Sequence, residues 1–97
     1  MPTSECHIAT PLASKYLQQL CKHWSHKVSV TFTPQTGRVP FAPDRDVIFE
    51  ATPATLTMRI NASDPDALAR MEGVVVDHLK RFSFREDFGD IQWTRKS

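Results

Sequence analysis

The part of the chain that most limits its fold is residues 28–60, where apolar and polar side chains alternate and short turns interrupt the alternation. A period of two is typical of β-strands with one apolar face. It occurs in residues 28–33, 38–41, 47–50 and 55–60. Gly37 closes the first turn, where its backbone is able to take a positive φ. Turns this short join antiparallel neighbours, so the stretch predicts a four-stranded antiparallel meander.

An amphipathic helix is predicted on each side of this meander. The first covers about residues 11–26, with Thr10 as N-cap and Pro11 at the first helical position. Its apolar stripe is formed by Ala13, Tyr16, Leu17, Leu20 and Trp24. The second runs from Ser63 or Asp64 to about residue 82. Its stripe is formed by Leu68, Met71, Val75, Leu79 and Phe82. Spacings of three and four place each stripe on one helix face, which must be buried.

Short strands at both ends complete the pattern. Residues 5–10 alternate weakly and predict a strand at a sheet edge, and residues 91–94 predict a last strand before a frayed end. The order β-α-β-β-β-β-α-β favours an α+β fold, a two-layer sandwich in which both helices pack on one face of a mainly antiparallel sheet. The other face is expected to be polar and solvated. It would carry Ser29, Thr31, Thr33, Arg38, Thr55, Thr57 and Arg59.

Length and charge exclude several classes of partner. The 97 residues are expected to form a single domain, residues 1–97. A net charge of +1, without a basic block, argues against a nucleic-acid partner. No apolar run approaches the roughly 20 residues that cross a bilayer, so we expect no membrane partner. With no secretory signal and only two cysteines, the sequence favours a cytoplasmic protein.

Motifs for catalysis are missing from the sequence. It contains no phosphate-binding glycine loop, no Gly-x-Ser-x-Gly, no Cys-x-x-Cys and no His-Glu-x-x-His. The three glycines exclude a cofactor loop built from glycines. We therefore expect a non-enzymatic domain and assign no catalytic residue. A metal ion is the one cofactor that the histidines suggest.

Potentially reactive side chains are concentrated in residues 21–27. At about 100° per residue, His23 and His26 lie on one flank of the first helix and Cys21 lies on the opposite flank. Cys21 therefore cannot join them in one site. Two histidines on one helix face need a further metal ligand, and His78, on a flank of the second helix, is the obvious donor. The alternative is that His23 and His78 pack beside the core while His26 is solvated.

Positive side chains accompany these histidines and suggest an anion site. The candidate ligand-binding residues are Lys22, His23, His26, His78, Arg81 and Arg85, with Lys27 nearby. Such side chains bind carboxylates and phosphates. The alternative is that basic residues near helix ends only balance the helix dipole. Cys21 is expected to be a structural thiol, and Trp24 and Trp93 are expected to be core anchors.

Three stretches of the sequence resemble a bacterial family. They are Tyr16-Leu17-x-x-Leu20-Cys21-Lys22-His23-Trp24-x-His26-Lys27, Leu68-Ala69-Arg70-Met71-Glu72 and His78-Leu79-Lys80-Arg81-Phe82-x-Phe84-Arg85-Glu86. The pattern is similar to the family known as domain of unknown function 2218, which has no established activity and more usually has another aromatic residue at position 24. The resemblance implies a bacterial cytoplasmic protein, free-standing or attached to siderophore-interacting flavoproteins, and a link to iron handling. It points to the same six positions: Lys22, His23, His26, His78, Arg81 and Arg85.

These features support three hypotheses. The first is a binding domain for a small anionic ligand or a partner such as a siderophore-related flavoprotein. It requires His23 and His78 to approach each other between the two helices. The second is binding of a metal or iron complex by His23, His26 and His78. The third is an interaction module that forms a homodimer through the polar sheet face or an exposed strand edge.

Overall fold

The structure is a computed structural model that describes residues 2–83 and 91–96. Its elements are β1 (Thr3–Ala9), α1 (Ala13–Trp24), β2 (Thr31–Phe32), β3 (Thr36–Ala42), β4 (Arg45–Ala51), β5 (Thr55–Ala62), α2 (Pro65–Phe82) and β6 (Thr94–Lys96). This is the order of strands and helices that the sequence predicts. Of the helices described, neither is long and apolar enough to cross a membrane.

The six strands form one antiparallel sheet in the order β2-β3-β4-β5-β1-β6. α1 packs mainly against β3 and β4, and α2 mainly against β5 and β1. Both helices contribute their apolar stripes to a single core, so the predicted α+β sandwich is confirmed. The prediction that β1 lies at an edge is wrong, because β6 pairs with its outer side.

The core lies between the helices and the inner face of the sheet. Its largest fully buried side chains come from both layers and include Leu17, Leu20, Phe49, Leu56, Met58, Ile60, Leu68 and Leu79. β3 approaches α1 so closely that a Cβ at Gly37 would lie 2.6 Å from the Sγ atom of Cys21. Packing against Cys21, rather than a positive φ, therefore explains the glycine.

The two helices begin in different ways. Asp64 caps α2, since its carboxylate accepts a hydrogen bond from the amide of Ala67 at 2.8 Å. This is the predicted start. α1 begins at Ala13, later than predicted, without a side-chain cap. The hydroxyl of Thr10 instead accepts a hydrogen bond from the amide of Leu12 in the preceding turn.

α1 ends earlier than predicted, at Trp24. The carbonyl of Trp24 accepts hydrogen bonds from the amides of Lys27 at 2.9 Å and Val28 at 3.0 Å. Residues 25–28 therefore still form a turn and a bend, although the first strand of the meander was predicted to begin at residue 28. Only Thr31–Phe32 of that predicted strand pair with β3. His26 lies in the turn and not on the helix, which corrects its predicted position.

The last strand begins later than predicted and includes Arg95, which was expected to fray. The Arg95 guanidinium donates to Glu72 of α2 through two nitrogens, at 2.7 and 3.0 Å. Ser4 of β1, which is fully buried, donates to the same carboxylate at 2.6 Å. We call Ser4, Glu72 and Arg95 the Glu72 junction. It fastens β6 and β1 to α2.

The outer face of the sheet is polar, as predicted, and its charges are paired. Arg38 lies 3.0 Å from Asp46 on the neighbouring strand. Arg59 lies 3.2 Å from Glu5 and 3.9 Å from Glu50. Opposite charges on adjacent strands attract each other across the face, although water screens them.

Candidate functional site

His23 and His78 meet between the two helices. Their ring centroids are 5.0 Å apart. His23 is in the last turn of α1, and His78 is one turn before the end of α2. The expected approach of the two histidines is therefore confirmed. Because both lie near helix C-termini, they are also where positive charge interacts favourably with the helix dipoles.

Aromatic side chains surround the two rings. The Trp24 ring lies 5.1 Å from that of His78, and the Phe82 ring lies 6.1 Å from that of His23. Trp24 is only 3% exposed and also stacks on Phe49 with centroids 6.0 Å apart. It is thus a core residue, as predicted, and its ring also contacts the ring of His78. The sequence indicated the first role but not the second.

The His78 ring is fixed by a backbone contact. Its Nδ1 atom lies 2.7 Å from the carbonyl oxygen of Val74, one turn earlier in α2. A carbonyl only accepts hydrogen bonds, so Nδ1 must carry the proton. The Nε2 atom is then left for another partner. It has a lone pair when the ring is neutral and a proton to donate when the ring is charged.

His23 lies near several basic side chains. Partial burial is the main cause that lowers its pKa below the usual 6.5, followed by repulsion from His78, Lys27, Arg81 and His26. We call these five residues, His23, His26, Lys27, His78 and Arg81, the basic cluster. Their mutual repulsion disfavours a proton on His23.

The structure brings together most of the residues that the sequence predicted for an anion site. His23, His78, Arg81 and His26 interact in the cluster, with Arg81 exposed near the end of α2. Lys22 is exposed in the last turn of α1 but is not one of the groups that shift the pKa of His23. Arg85 lies outside the described residues.

No carboxylate pairs with the basic cluster within residues 2–83 and 91–96. Elsewhere in that part of the chain, arginines on the sheet and its loops lie 2.7 to 3.3 Å from a carboxylate oxygen. They are Arg38, Arg45, Arg59 and Arg95. The described residues therefore supply no carboxylate that pairs with the basic side chains of the cluster. Charge arranged in this way attracts anions.

The predicted three-histidine metal site is not formed. Among the described residues, no group of three histidine, cysteine, aspartate or glutamate side chains is placed to hold one metal ion. His26 belongs to the turn after α1 rather than to the helix that carries His23. The His23 and His78 rings are close enough to share a ligand.

An unpaired amide lies one helical turn before His23. The Oε1 atom of Gln19 is buried and accepts no hydrogen bond from the residues that the structure describes. Leaving a buried acceptor unpaired costs about 1–3 kcal/mol. Gln19 precedes His23 by one turn and shares its helix flank. The sequence did not single out this residue.

Both cysteines are buried and free. Burial raises the pKa of Cys21 to about 11 and is the main cause that raises the pKa of Cys6 to about 12. Neither is therefore a reactive thiolate near neutral pH, which agrees with the structural role predicted for Cys21.

Known proteins resemble this chain over nearly its whole length. Residues 5–94 match a family described as an uncharacterized protein conserved in bacteria (DUF2218). The NMR structure of PA4090 from Pseudomonas aeruginosa is similar, with 38% sequence identity and a TM-score of 0.81 over 97% of this chain and 96% of that chain. The curated proteins gave no match. Since the family match covers most of the chain, the protein belongs to the bacterial family DUF2218.

Proposed function

We propose that this protein is a binding domain that holds a small anion at the basic cluster. The observation that carries the proposal is the 5.0 Å approach of the His23 and His78 rings among further positive groups. Positive groups this close repel one another, and an anion between them replaces repulsion with attraction. The proposed role is binding rather than catalysis, since the sequence contains no catalytic motif.

Four members of the cluster have distinct parts in the proposed complex. His78 is held through Nδ1 by Val74 and presents Nε2, which donates to the anion when the ring is protonated. His23 donates in the same way, because a nearby anion favours its charged form. Arg81 supplies a planar fork that suits an oxyanion, and Lys27 adds a point charge.

Titration with sodium sulfate, followed by the imidazole NMR signals of His23 and His78, tests this proposal. Both signals are expected to shift and to saturate. Replacing Arg81 with glutamine should weaken sulfate binding about fivefold, since a charge-assisted hydrogen bond is lost.

Lys80→Gln is the matched control, because Lys80 is also exposed and adjacent to Arg81 in α2 but is not one of the groups acting on His23. It removes the same charge and should change the affinity by no more than about twofold. Equal weakening by both substitutions would show that the net charge of the protein, and not Arg81 itself, determines the affinity for sulfate. Absence of saturable shifts at the two histidines would refute the proposed site.

A metal ion held by His23 and His78 is the second candidate, and the orientation of His78 favours it. Histidines that bind metals usually donate their second ring N–H to a carbonyl or carboxylate, as His78 does to Val74. Two protein ligands give only weak binding, so we place this candidate second. Titration with Zn²⁺ should shift both histidine signals in the native protein and leave the His23 signal unchanged in a His78→Gln variant. Retained binding in that variant would contradict it.

We further propose a cytoplasmic location and a link to iron or siderophore metabolism, as the family resemblance implies. The free, buried cysteines support a reducing compartment. Ferric citrate is both anionic and paramagnetic, so its binding at the cluster should broaden the His23 and His78 signals before those of His7. Uniform broadening of all three histidines would contradict a specific site.

A further inference from the structure

The side of α2 that points away from the core is centred on Gly73. At about 100° per residue, six other residues of the helix lie within about 60° of this glycine. They are Asp66, Ala69, Arg70, Val76, Asp77 and Lys80. All seven are exposed except Val76, which is partly buried. We call these seven residues the Gly73 face.

The Gly73 face has charges and a glycine that one copy of the chain does not use. None of its four charged side chains forms an ion pair with another described residue. Glycine is a poor helix former, yet a Cβ at position 73 would meet no other part of the described chain within 4 Å. The packing of a single chain therefore accounts neither for the glycine nor for the arrangement of the charges.

We propose that two copies of this chain associate through their Gly73 faces, with the two α2 helices antiparallel about a twofold axis at Gly73. In such a contact, a residue before Gly73 lies opposite the residue that is equally far after Gly73 in the second copy. A glycine at the crossing point allows the helix axes to approach to about 8 Å. This inference does not rest on anion binding.

The charges of the Gly73 face are self-complementary about this axis. Arg70 is three residues before Gly73 and Asp77 is four residues after it, and both lie on the same side of the face. Antiparallel association therefore places Arg70 of each copy beside Asp77 of the other copy. Asp66 and Lys80 are each seven residues from Gly73, so they meet about 10 Å from the axis. Four pairs of opposite charges result.

Other arrangements of the two helices do not have this property. In a parallel pair each residue lies beside its own copy, so Arg70 would face Arg70 and Asp66 would face Asp66. The proposed surface also differs from the sheet face and strand edges at which the sequence predicted a homodimer. Because one helix face buries less than the roughly 1,200 Å² of a stable interface, we expect a weak dimer that forms at about 0.1 mM protein and above.

Reversal of single charges tests the pairing. Sedimentation equilibrium from about 0.01 to about 1 mM protein, at low ionic strength, measures the dimer. Arg70→Asp and Asp77→Arg should each weaken the dimer at least about tenfold, because each places like charges together twice. An equimolar mixture of the two variants should recover the native affinity, since every contact in the mixed dimer again joins opposite charges.

Two further variants separate the contact from folding and from net charge. Gly73→Gln should weaken the dimer at least about tenfold and raise the thermal unfolding midpoint of the monomer, because glutamine is the better helix former. Arg38→Asp is the control, since it makes the same change in charge on the exposed sheet face. It should change the dimer affinity by no more than about twofold.

Each contrary result overturns the inference. Native protein that stays monomeric up to about 1 mM refutes the dimer. A dimer that Arg70→Asp or Gly73→Gln leaves unchanged, or a mixture of charge-reversed variants that does not associate, refutes the proposed contact. Loss of the dimer in Arg38→Asp alone would place the contact on the sheet face. Because none of these measurements uses an anion, failure here leaves the proposed anion binding standing.

Discussion

The two flanks of α2 use charge in opposite ways. On the flank that faces β1 and β6, Glu72 is paired with Arg95 and accepts a hydrogen bond from buried Ser4. On the flank that faces α1, His78 meets His23 among further positive groups, and the described chain supplies no carboxylate for them. We call the flank of α2 that carries Glu72 the balanced flank, and the flank that carries His78 the unbalanced flank.

This contrast separates charges that hold the fold together from charges that remain for a ligand. The Glu72 junction satisfies its own hydrogen bonds, so it needs nothing from outside. The pKa of Glu72 is lowered, with the hydrogen bonds from Arg95 as the largest cause. The pKa of His23 is lowered too, by burial and by like charge. The first shift marks a favourable interaction of the charged form, and the second marks an unfavourable one.

The largest expected effect is on the balanced flank. Glu72→Ala should reduce the free energy of unfolding by about 2 kcal/mol, because the buried Ser4 hydroxyl loses its acceptor. Urea unfolding measures this loss. Glu50→Ala is the control, since the Glu50 side chain is 54% exposed and should contribute less than about 0.5 kcal/mol. If the two substitutions cost the same, the Glu72 junction does not fasten the sheet to α2.

Acid should weaken the balanced flank through Glu72. Its folded-state pKa lies below the usual 4.5, so the folded protein favours the ionised carboxylate. The stabilisation is fully present above pH 4.5 and is lost as the pH falls through the folded-state pKa. Urea unfolding at several pH values should show that Glu72→Gln loses less stability than the native protein below pH 4.5. Parallel curves would show that Glu72 is not the titrating group.

The unbalanced flank should respond to acid in a higher and separate pH window. The folded-state pKa of His23 lies below the usual 6.5, so the unfolded chain takes up the proton first as the pH falls. The native protein therefore loses stability from about pH 6.5 downward until the folded-state pKa is passed.

His23→Gln should remove this loss, and saturating sulfate should reduce it in the native protein, because a bound anion favours the charged ring. Urea midpoints between pH 7.5 and 5, with and without sulfate, measure both effects. A variant that follows the native pH dependence, or a native curve that sulfate does not change, would contradict the cluster as described.

The smallest expected effect is on the outer sheet face. Arg38→Gln should change the free energy of unfolding by less than about 0.5 kcal/mol, because the Arg38 side chain is 61% exposed and water screens its pair with Asp46. Urea unfolding again measures the change. A loss as large as that of Glu72→Ala would mean that pairing, rather than burial, determines what a charge contributes here.

Several parts of the site followed from residue spacing. Spacing on α2 placed Arg81 and His78 on one flank, and helical periodicity separated Cys21 from His23. Both results depend on local geometry, which the sequence largely fixes. The position of His26 did not follow, because α1 ends at Trp24 and His26 lies in the turn that comes after it. Where a helix frays depends on the contacts of its last turn as well as on periodicity.

Pairing between residues far apart in the chain also could not be predicted from the sequence. Nothing local indicates that Arg95 reaches Glu72, or that the β6 residues close the open side of β1. The unpaired oxygen of Gln19 was equally hidden, since it depends on burial by neighbouring elements.

The sequence by itself determined the element order, the fold class and the separation of Cys21 from His23, because periods of two and of three to four record which side of each element is buried. Tertiary structure alone decided that His23 and His78 face each other at 5.0 Å rather than turning apart, since this depends on how two distant helices pack on one sheet. It also decided which charges find partners. Arg95 of the Glu72 junction and Arg81 of the basic cluster are the same kind of side chain, and only their three-dimensional neighbours distinguish them.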